Sequence, residues 1–409
     1  MISPTSDAIT SQSLWAHRPL QFFLWARGFS KFSSQILTVA VGWQVYALTR
    51  SAFDLGMVGL VQFLPTAILV FVAGHASDRF ERRRVIQLCQ LLEMLAALFL
   101  AWGSYGGWIT VPQIFMAVAL FGVAGAFESP ATSALLPGVA PEGYLQKATA
   151  LATGVFQVAA ITGPAIGGLA YGVSPALPYA CMAGFWAVAA LLNGFIKLDR
   201  PIVARESPTA GALFAGAHFV RNNPAILGTI SLDLFAVLLG GASALLPIYA
   251  RDILHTGPWG LGMLRGAQAV GALMMTGFLA RHAIRTRVGM RMFQAVIVFG
   301  LATVVFALST TVWLSVLALA VMGAADTISV VIRVSLVQLA TPDDMRGRVG
   351  AVNFLFINAS NQLGEFESGL AAALLGVVPA ALLGGVGTIA IALLWMKLFP
   401  VLRNLERLE

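Results

Sequence analysis

The sequence predicts an all-α integral membrane protein with twelve transmembrane helices arranged as two six-helix bundles. Three observations predict it: a composition too apolar for a water-soluble domain, twelve long apolar runs, and a one-sided distribution of Lys and Arg. Of the 409 residues 58% are hydrophobic and 11% charged, and the mean hydropathy is +0.83. Average soluble domains carry about 45–50% apolar and about 25% charged residues. In a soluble chain the net charge of +7 would suggest a nucleic-acid partner; here the orientation of membrane loops accounts for it, and no nucleic acid is expected.

A bilayer-crossing helix needs roughly 20 mostly apolar residues. Runs of that kind fall at 19–48, 53–77, 85–105, 110–135, 146–171 and 176–197, and again at 224–250, 258–280, 290–309, 312–338, 347–373 and 377–398, separated by polar or Gly/Pro breaks. They are continuous and lack the alternation of β-barrel strands, so they are expected to be helices. Residues 1–18 lack the basic region and small-residue cleavage site of a signal peptide, so the first run is expected to remain as a helix. Cys89 and Cys181 both lie inside apolar runs and form no disulfide framework.

With both ends on one side, the connections on that side collect nineteen Lys and Arg. The opposite connections hold Arg50 and Arg251, with Arg265 counted beside them, while Arg27, Lys31 and Arg333 lie within runs. This bias predicts that both termini are cytoplasmic. The chain therefore divides into a cytoplasmic segment 1–18, a first bundle 19–197, a cytoplasmic central loop 198–223, a second bundle 224–398 and a cytoplasmic tail 399–409. The halves carry traces of duplication. "GHASDRFERRR" from Gly74 recurs as "GFLARHAIRTR" from Gly277, 203 residues on, and "GPAIGG" from Gly163 as "GEFESG" from Gly364, 201 residues on. Transporters are commonly built from such repeats, with a substrate site where the halves meet.

The loop between the second and third runs resembles the signature G-x-x-x-D-R-x-G-R-R of the major facilitator superfamily, matched by Gly74, Asp78, Arg79, Arg82 and Arg83. Glu81 stands where that signature has its second glycine. The fifth run carries Gly163, Pro164, Gly167 and Gly168, similar to the G-P-x-x-G-G element of the superfamily's antiporters. "ESPATSALLP" from Glu128 and "TPDDMRGRVGAVNFLFINASNQLGE" from Thr341 resemble the bacterial subfamily of enterobactin exporters and related drug-efflux proteins. The resemblance implies a bacterial inner-membrane protein exporting a small organic solute by alternating access. It also implies proton antiport and a latch formed by the Asp78 loop on the cytoplasmic side. Uptake or facilitated movement of a small metabolite or lysophospholipid by the same fold is the alternative.

Charges inside spans cost at least about 2.5–3.5 kcal/mol each at the bilayer centre, so each is a functional candidate. Those expected to couple protons or line the cavity are Arg27, Glu128, Asp233, Asp326 and Glu365. Arg27 and Lys31 share a helix face, with Glu128 the nearest counter-acid by depth, whereas Asp233 and Asp326 have no cation within a turn in sequence. The glycines of the fifth run allow close helix approach, and Pro164 removes one backbone hydrogen bond. A membrane enzyme finds little support: His17, His75, His218, His255 and His282 are scattered, no Cys/His cluster has metal-ligand spacing, and no phosphate-binding loop with lysine occurs. Neither metal nor cofactor is expected. The expected partners are a small-molecule substrate, the proton and membrane lipid, with the chain a monomer. A sensor would predict an appended soluble domain, for which the 26-residue centre and eleven-residue tail are short.

Overall fold

The computed structural model describes residues 17–196, 210–240, 242–282, 284, 286–342 and 345–407. Helices stand at all twelve runs: α1 Arg18–Thr49, α2 Ala52–Arg79, α3 Arg82–Gly106, α4 Val111–Val139, α5 Leu145–Val173, α6 Leu177–Phe195, α7 Pro224–Leu239, α8 Gly257–Arg281, α9 Val288–Leu308, α10 Val312–Leu339, α11 Arg346–Leu375 and α12 Val377–Leu398. A linker helix, Ala210–Asn222, precedes α7. No strand occurs among the described residues.

Local chemistry sets several boundaries. Pro19 opens α1, where its missing N–H costs nothing. Thr110 and Gln113 form a capping box at the start of α4. Gly107 ends α3 in the left-handed conformation at φ 68°, and Asn223 accepts from the Ala225 and Ile226 amides to cap α7.

Among the described residues nine segments are long and apolar enough to cross a membrane by length and composition. The three other helices at the predicted runs, α1, α8 and α11, have 32, 25 and 30 residues and fall below that threshold of apolarity. They hold Arg27 and Lys31, Arg265, and Glu365 and Glu367 respectively. The seventh run is not one regular helix. α7 ends at Leu239 and the chain continues through a 3₁₀ turn Ala242–Leu245, a helical turn Leu246–Ile248 and a π turn Tyr249–Ile253. The small-residue stretch beginning at Gly240 and the proline at 247 explain the break that periodicity alone does not predict.

Packing repeats between the halves. In the first, α1 packs on α5 and α6, α2 on α4, and α3 on α4 and α6. In the second, α7 packs on α11 and α12, α8 on α10, and α9 on α10 and α12. Each partnership recurs six helices later, which is the duplication seen in the sequence realised as topology. Two symmetry-related seams join the bundles: α5 runs along α8, and α2 along α11.

The bundles close on one face only. Late α1, early α4, early α6, the broken end of α7 and early α8 all contribute to one apolar core, which includes Ile36, Ile114, Tyr179, Leu246 and Leu261. These segments lie on the face away from the chain ends. On the terminal face the cores separate: one holds Leu20, Leu135 and Ala148 of the first bundle, and two others belong to the second. The space between the bundles is thus a wedge, narrow at the far face and wide at the terminal face.

A polar clasp caps the closed end. Asp252, at the end of the broken seventh span, accepts from the Tyr46 hydroxyl and pairs with Arg50 at 3.2 Å, so it grips the end of α1 across the bundle boundary. The Arg251 guanidinium lies 5.7 Å from the Trp43 ring centre beside it. Arg50 and Asp252 keep 56% and 39% of their side-chain surface exposed, so the pair is worth only about 0.2–1 kcal/mol and breaks readily. Replacing Asp252→Asn, with Cys89 and Cys181 changed to serine and a Ser34→Cys reporter, should raise reporter labelling by an impermeant maleimide added at the far face by about 1.4- to 5-fold. Unchanged labelling would show that the clasp does not hold that face shut.

Candidate functional site

Each bundle contains a buried polar cluster. In the first, Glu128 on α4 accepts from Ser30 on α1 at 3.0 Å and from Gln90 on α3 at 2.9 Å. Asn193 on α6 donates to Gln90 at 2.9 Å, so four helices converge on one carboxylate. Arg27 lies close enough to Glu128 to feel its charge, but no direct ion pair joins them, and the buried Arg27 Nε has no partner among the described residues. Glu93, one turn beyond Gln90, is 5% exposed, and its Oε2 has no partner among the described residues. The sequence pairing of Arg27 with Glu128 is therefore a field interaction. The carboxylate's hydrogen bonds come from Ser30 and Gln90, which sequence reasoning did not single out.

The second bundle holds its charges differently. Asp233 on α7 forms a buried ion pair with Arg333 on α10. The sequence places no cation within a turn of Asp233; the fold supplies one from a hundred residues away. Asp326 and Ser329 stand on α10 toward the same small pocket, which Asp233, Phe299 and Val296 also line. Its interior takes a water molecule and little more. Asp326, Ser329 and Arg333 follow at three- and four-residue steps and so share one face of α10. With both acids ionised, the trio Asp233, Asp326 and Arg333 carries one net negative charge.

A third group stands at the seam between bundles. Glu365 on α11 presses against α2: a Cβ added at Gly59 would meet its Oε2 at 2.9 Å. Arg265 on α8 lies within range of the Glu365 charge. Arg265 had been counted with the connections of the opposite side. α8 begins at Gly257, so Arg265 lies about 12 Å inside the helix and is a membrane-embedded cation.

The fifth-span motif forms a three-helix crossing. A Cβ at Gly163 would meet the Gln35 Cβ of α1 at 2.6 Å, and one at Gly168 would meet the Pro258 carbonyl of α8 at 2.5 Å. Gly167 faces Ile36 of α1, and Gly262 of α8 faces the carbonyl of Pro164. The second copy mirrors this: Gly364 meets Val237 and Leu238 of α7, and Gly369 meets Gly56 of α2. Both seams are thus backbone-to-backbone contacts that larger residues would push apart.

Of the loop signature, Gly74 and Asp78 fall on α2, but their side chains lie outside the described residues. Arg79 is exposed. Arg82 donates to the Ala134 carbonyl at 3.2 Å, and Arg83 donates to the Ile196 carbonyl at 2.6 Å while pairing with Glu81. These described contacts stay within the first bundle. Among the described residues no group of His, Cys, Asp and Glu has the arrangement to hold a metal ion.

Two bundles around a wedge, with buried carboxylates and glycine-lined seams, constitute an alternating-access architecture. Residues 15–408 match the family of transmembrane secretion effectors. The chain belongs to that family, within the major facilitator superfamily. It is 27% identical over 403 residues to the enterobactin exporter EntS of Citrobacter koseri, covering 96% of this chain and 95% of that protein. It is 29% identical over 369 residues to the multidrug efflux pump Tap of Mycobacterium tuberculosis, covering 86% of each. Among solved structures, the nucleoside transporter NupG superposes with a TM-score of 0.71 at 14% identity, over 93% of this chain and 99% of that one. A bacterial homologue of the iron transporter ferroportin, in an inward-facing state, gives 0.72 at 15%, over 95% and 99%. At such identity these structures establish the fold alone. The protein is accordingly a multi-pass membrane transporter of small molecules, and not an enzyme.

The Asp233–Arg333 pair yields a stability prediction. Asp233→Asn or Arg333→Gln alone should cost about 3–5 kcal/mol, because each strands the other's charge in a low-dielectric site, while the double substitution should recover most of the loss. Thermal unfolding of the purified variants measures this; additive losses would count against the pair.

Proposed function

We propose that this transporter exports a small organic solute from the cytoplasm, driven by protons moving inward. The carrying observation is the Asp233–Arg333–Asp326 cluster. It is a charge-imbalanced site with room for about one water, set inside the second bundle, whose apolar core merges with that of the first at one face. The similarity to an enterobactin exporter and to a multidrug efflux pump supports the direction of transport. The arginine-rich connections support a cytoplasmic location for both chain ends, in a bacterial inner membrane. On that orientation, the wedge described here opens to the cytoplasm.

In the cycle, solute enters the wedge from the cytoplasmic side, and the Asp252 clasp breaks as the bundles rock about the α5–α8 and α2–α11 seams. Once the cavity faces outward, one proton neutralises the excess charge of the second-bundle cluster. Arg333 already compensates Asp233, so Asp326 is the acid that takes the proton and releases it after the return swing. Glu128, fixed by Ser30 and Gln90, and Glu365, against α2, are secondary coupling candidates. The loop holding Asp78, Arg79, Arg82 and Arg83 latches the cytoplasmic side when the cavity faces outward. That role suits cations whose described contacts, in the inward-open arrangement, lie in their own bundle, or which are exposed. Gly163, Pro164, Gly167 and Gly168 act as the bearing surface of one seam. One copy suffices for this cycle, so the working unit is a monomer embedded in lipid.

Reconstituted protein tests the assignment with a panel of fluorescent drug-like dyes and an imposed pH gradient. Wild-type protein should move dye against the proton flow. Asp326→Asn should lose gradient-driven flux by about tenfold or more while retaining dye exchange at equal pH. Equal pH response in Asp326→Asn would remove Asp326 from the mechanism, and net movement of dye with the proton flow would replace export with uptake.

A further inference from the structure

The two seams between the bundles contain buried polar atoms that the proton cycle does not use. Among the described residues the buried Arg265 Nε has no hydrogen-bond partner, and the same is true of the Gln362 Oε1. Gln362 and Glu365 are three apart on α11, hence on one face, and that face meets α2 at Gly59. No ion pair joins Arg265 to Glu365 among the described residues, although each feels the other's charge.

The contacts of α8 fix where Arg265 stands. Gly262 and Gly266 face α5, at the carbonyls of Pro164 and Ile161. Gly271 faces the Ala320 carbonyl of α10, and Gln268 faces Gly323 of the same helix. Met274 and Phe278, 71% and 55% exposed, mark the outer surface of the bundle. At 100° per residue, Arg265 occupies the remaining side, between the α5 and α10 directions and opposite the exposed one. It therefore faces the space between the bundles. A similar elimination applies to α1. Gly28 and Gln35 face α5, Phe29 and Ser33 face α6, and Ser30 faces Glu128, which leaves Arg27, Lys31, Ser34 and Thr38 as a polar stripe. The two walls thus present three cations, and the Nε atoms of both Arg27 and Arg265 lack partners among the described residues.

We propose that Arg265 is a recognition site for an acidic group on the transported molecule, an organic carboxylate or comparable planar oxyanion. The reading rests on the transport function above and names its substrate class. A guanidinium offers five donors in a planar fork that fits a carboxylate edge with two parallel hydrogen bonds. A charge inserted in the membrane without a direct partner is retained at a cost, and a charged ligand that completes its coordination offsets that cost. Neutral lipophilic solutes would leave the fork unfilled, so they bind more weakly than acids of the same shape.

Equilibrium dialysis of the purified full-length protein in lipid nanodiscs tests this with a matched pair, 1-naphthoate and 1-naphthamide, which differ in charge and little in shape. Wild-type protein should bind the acid about tenfold or more tightly than the amide, as expected for a charge-assisted contact. Arg265→Gln should bring the ratio to within about twofold of unity, and Arg265→Lys, a point charge without the fork, should give an intermediate ratio. Should the glutamine variant not fold, the lysine variant decides: an unchanged ratio there overturns the proposal. A wild-type ratio near one also overturns it, as does a ratio kept in Arg265→Gln but lost in Arg27→Gln, which would move recognition to α1. Dye efflux driven by a pH gradient, run on the same wild-type preparation, separates the two hypotheses. Efflux without acid preference sinks only the present proposal, and acid preference without efflux sinks only the export reading.

Discussion

The hydrocarbon interior does not solvate charge, and the rest of this molecule follows from how it meets that constraint. Every ionised group between the faces must be paired, hydrogen-bonded or reached by water. The first bundle satisfies Glu128 with neutral donors from α1 and α3, backed by α6. The second bundle uses an ion pair between α7 and α10. At the seam, Arg265 and Glu365 compensate each other only through space. These are three degrees of satisfaction, and they rank the groups by how readily each exchanges its partner for a ligand or a proton.

Movement requires seams that slide without losing contact, and glycine supplies them. Where Gly168, Gly262 and Gly369 let backbones touch, the bundles meet at crossings that place little side-chain interdigitation in the way of a swing. The same motif brings α5 to α8 through Pro164 and Gly168 and to α1 through Gly163 and Gly167, so motion at the seam is transmitted to the helix bearing Arg27 and Lys31. Duplication places an equivalent crossing on the other side, between α11, α2 and α7. A rocking axis therefore has two bearings, and the apolar core at the far face gives way at one end only.

The all-helical membrane class, the helix positions and the duplicated plan were legible because each is a property of local composition or of repetition along the chain. The α5 motif was legible as a close-packing element, but its partners, Gln35 of α1 and Pro258 of α8, belong to distant sequence whose register no local pattern fixes. The partnership of Asp233 with Arg333 was hidden for the same reason: a lone acid on one helix and a lone cation on another show no sequence spacing. Arg265 was misplaced because an arginine near the start of a run reads as a loop residue. Its placement depends on α8 starting at Gly257 and on which side of α8 is left free by its neighbours. The break in the seventh span left a signal in its glycines, and long apolar content on both sides masked it.

The division of labour between the two halves has a physical rationale. A site that titrates must keep its surroundings constant while the cavity changes, or its proton affinity would drift with every partial motion. Asp326 meets this condition because its neighbours Asp233, Phe299 and Arg333 all belong to its own bundle and move with it. A site that binds and releases solute has the opposite requirement, since its coordination must be complete in one arrangement and broken in another. Glu365 and Gln362 stand against α2 of the other bundle, and Arg265 lies beside the α5 seam, so their surroundings change with each swing. Coupling the two needs no chain of contacts between them. It follows if protonation inside the second bundle and solute at the seam favour opposite arrangements of the same two-state machine, each by a few kcal/mol of differential binding.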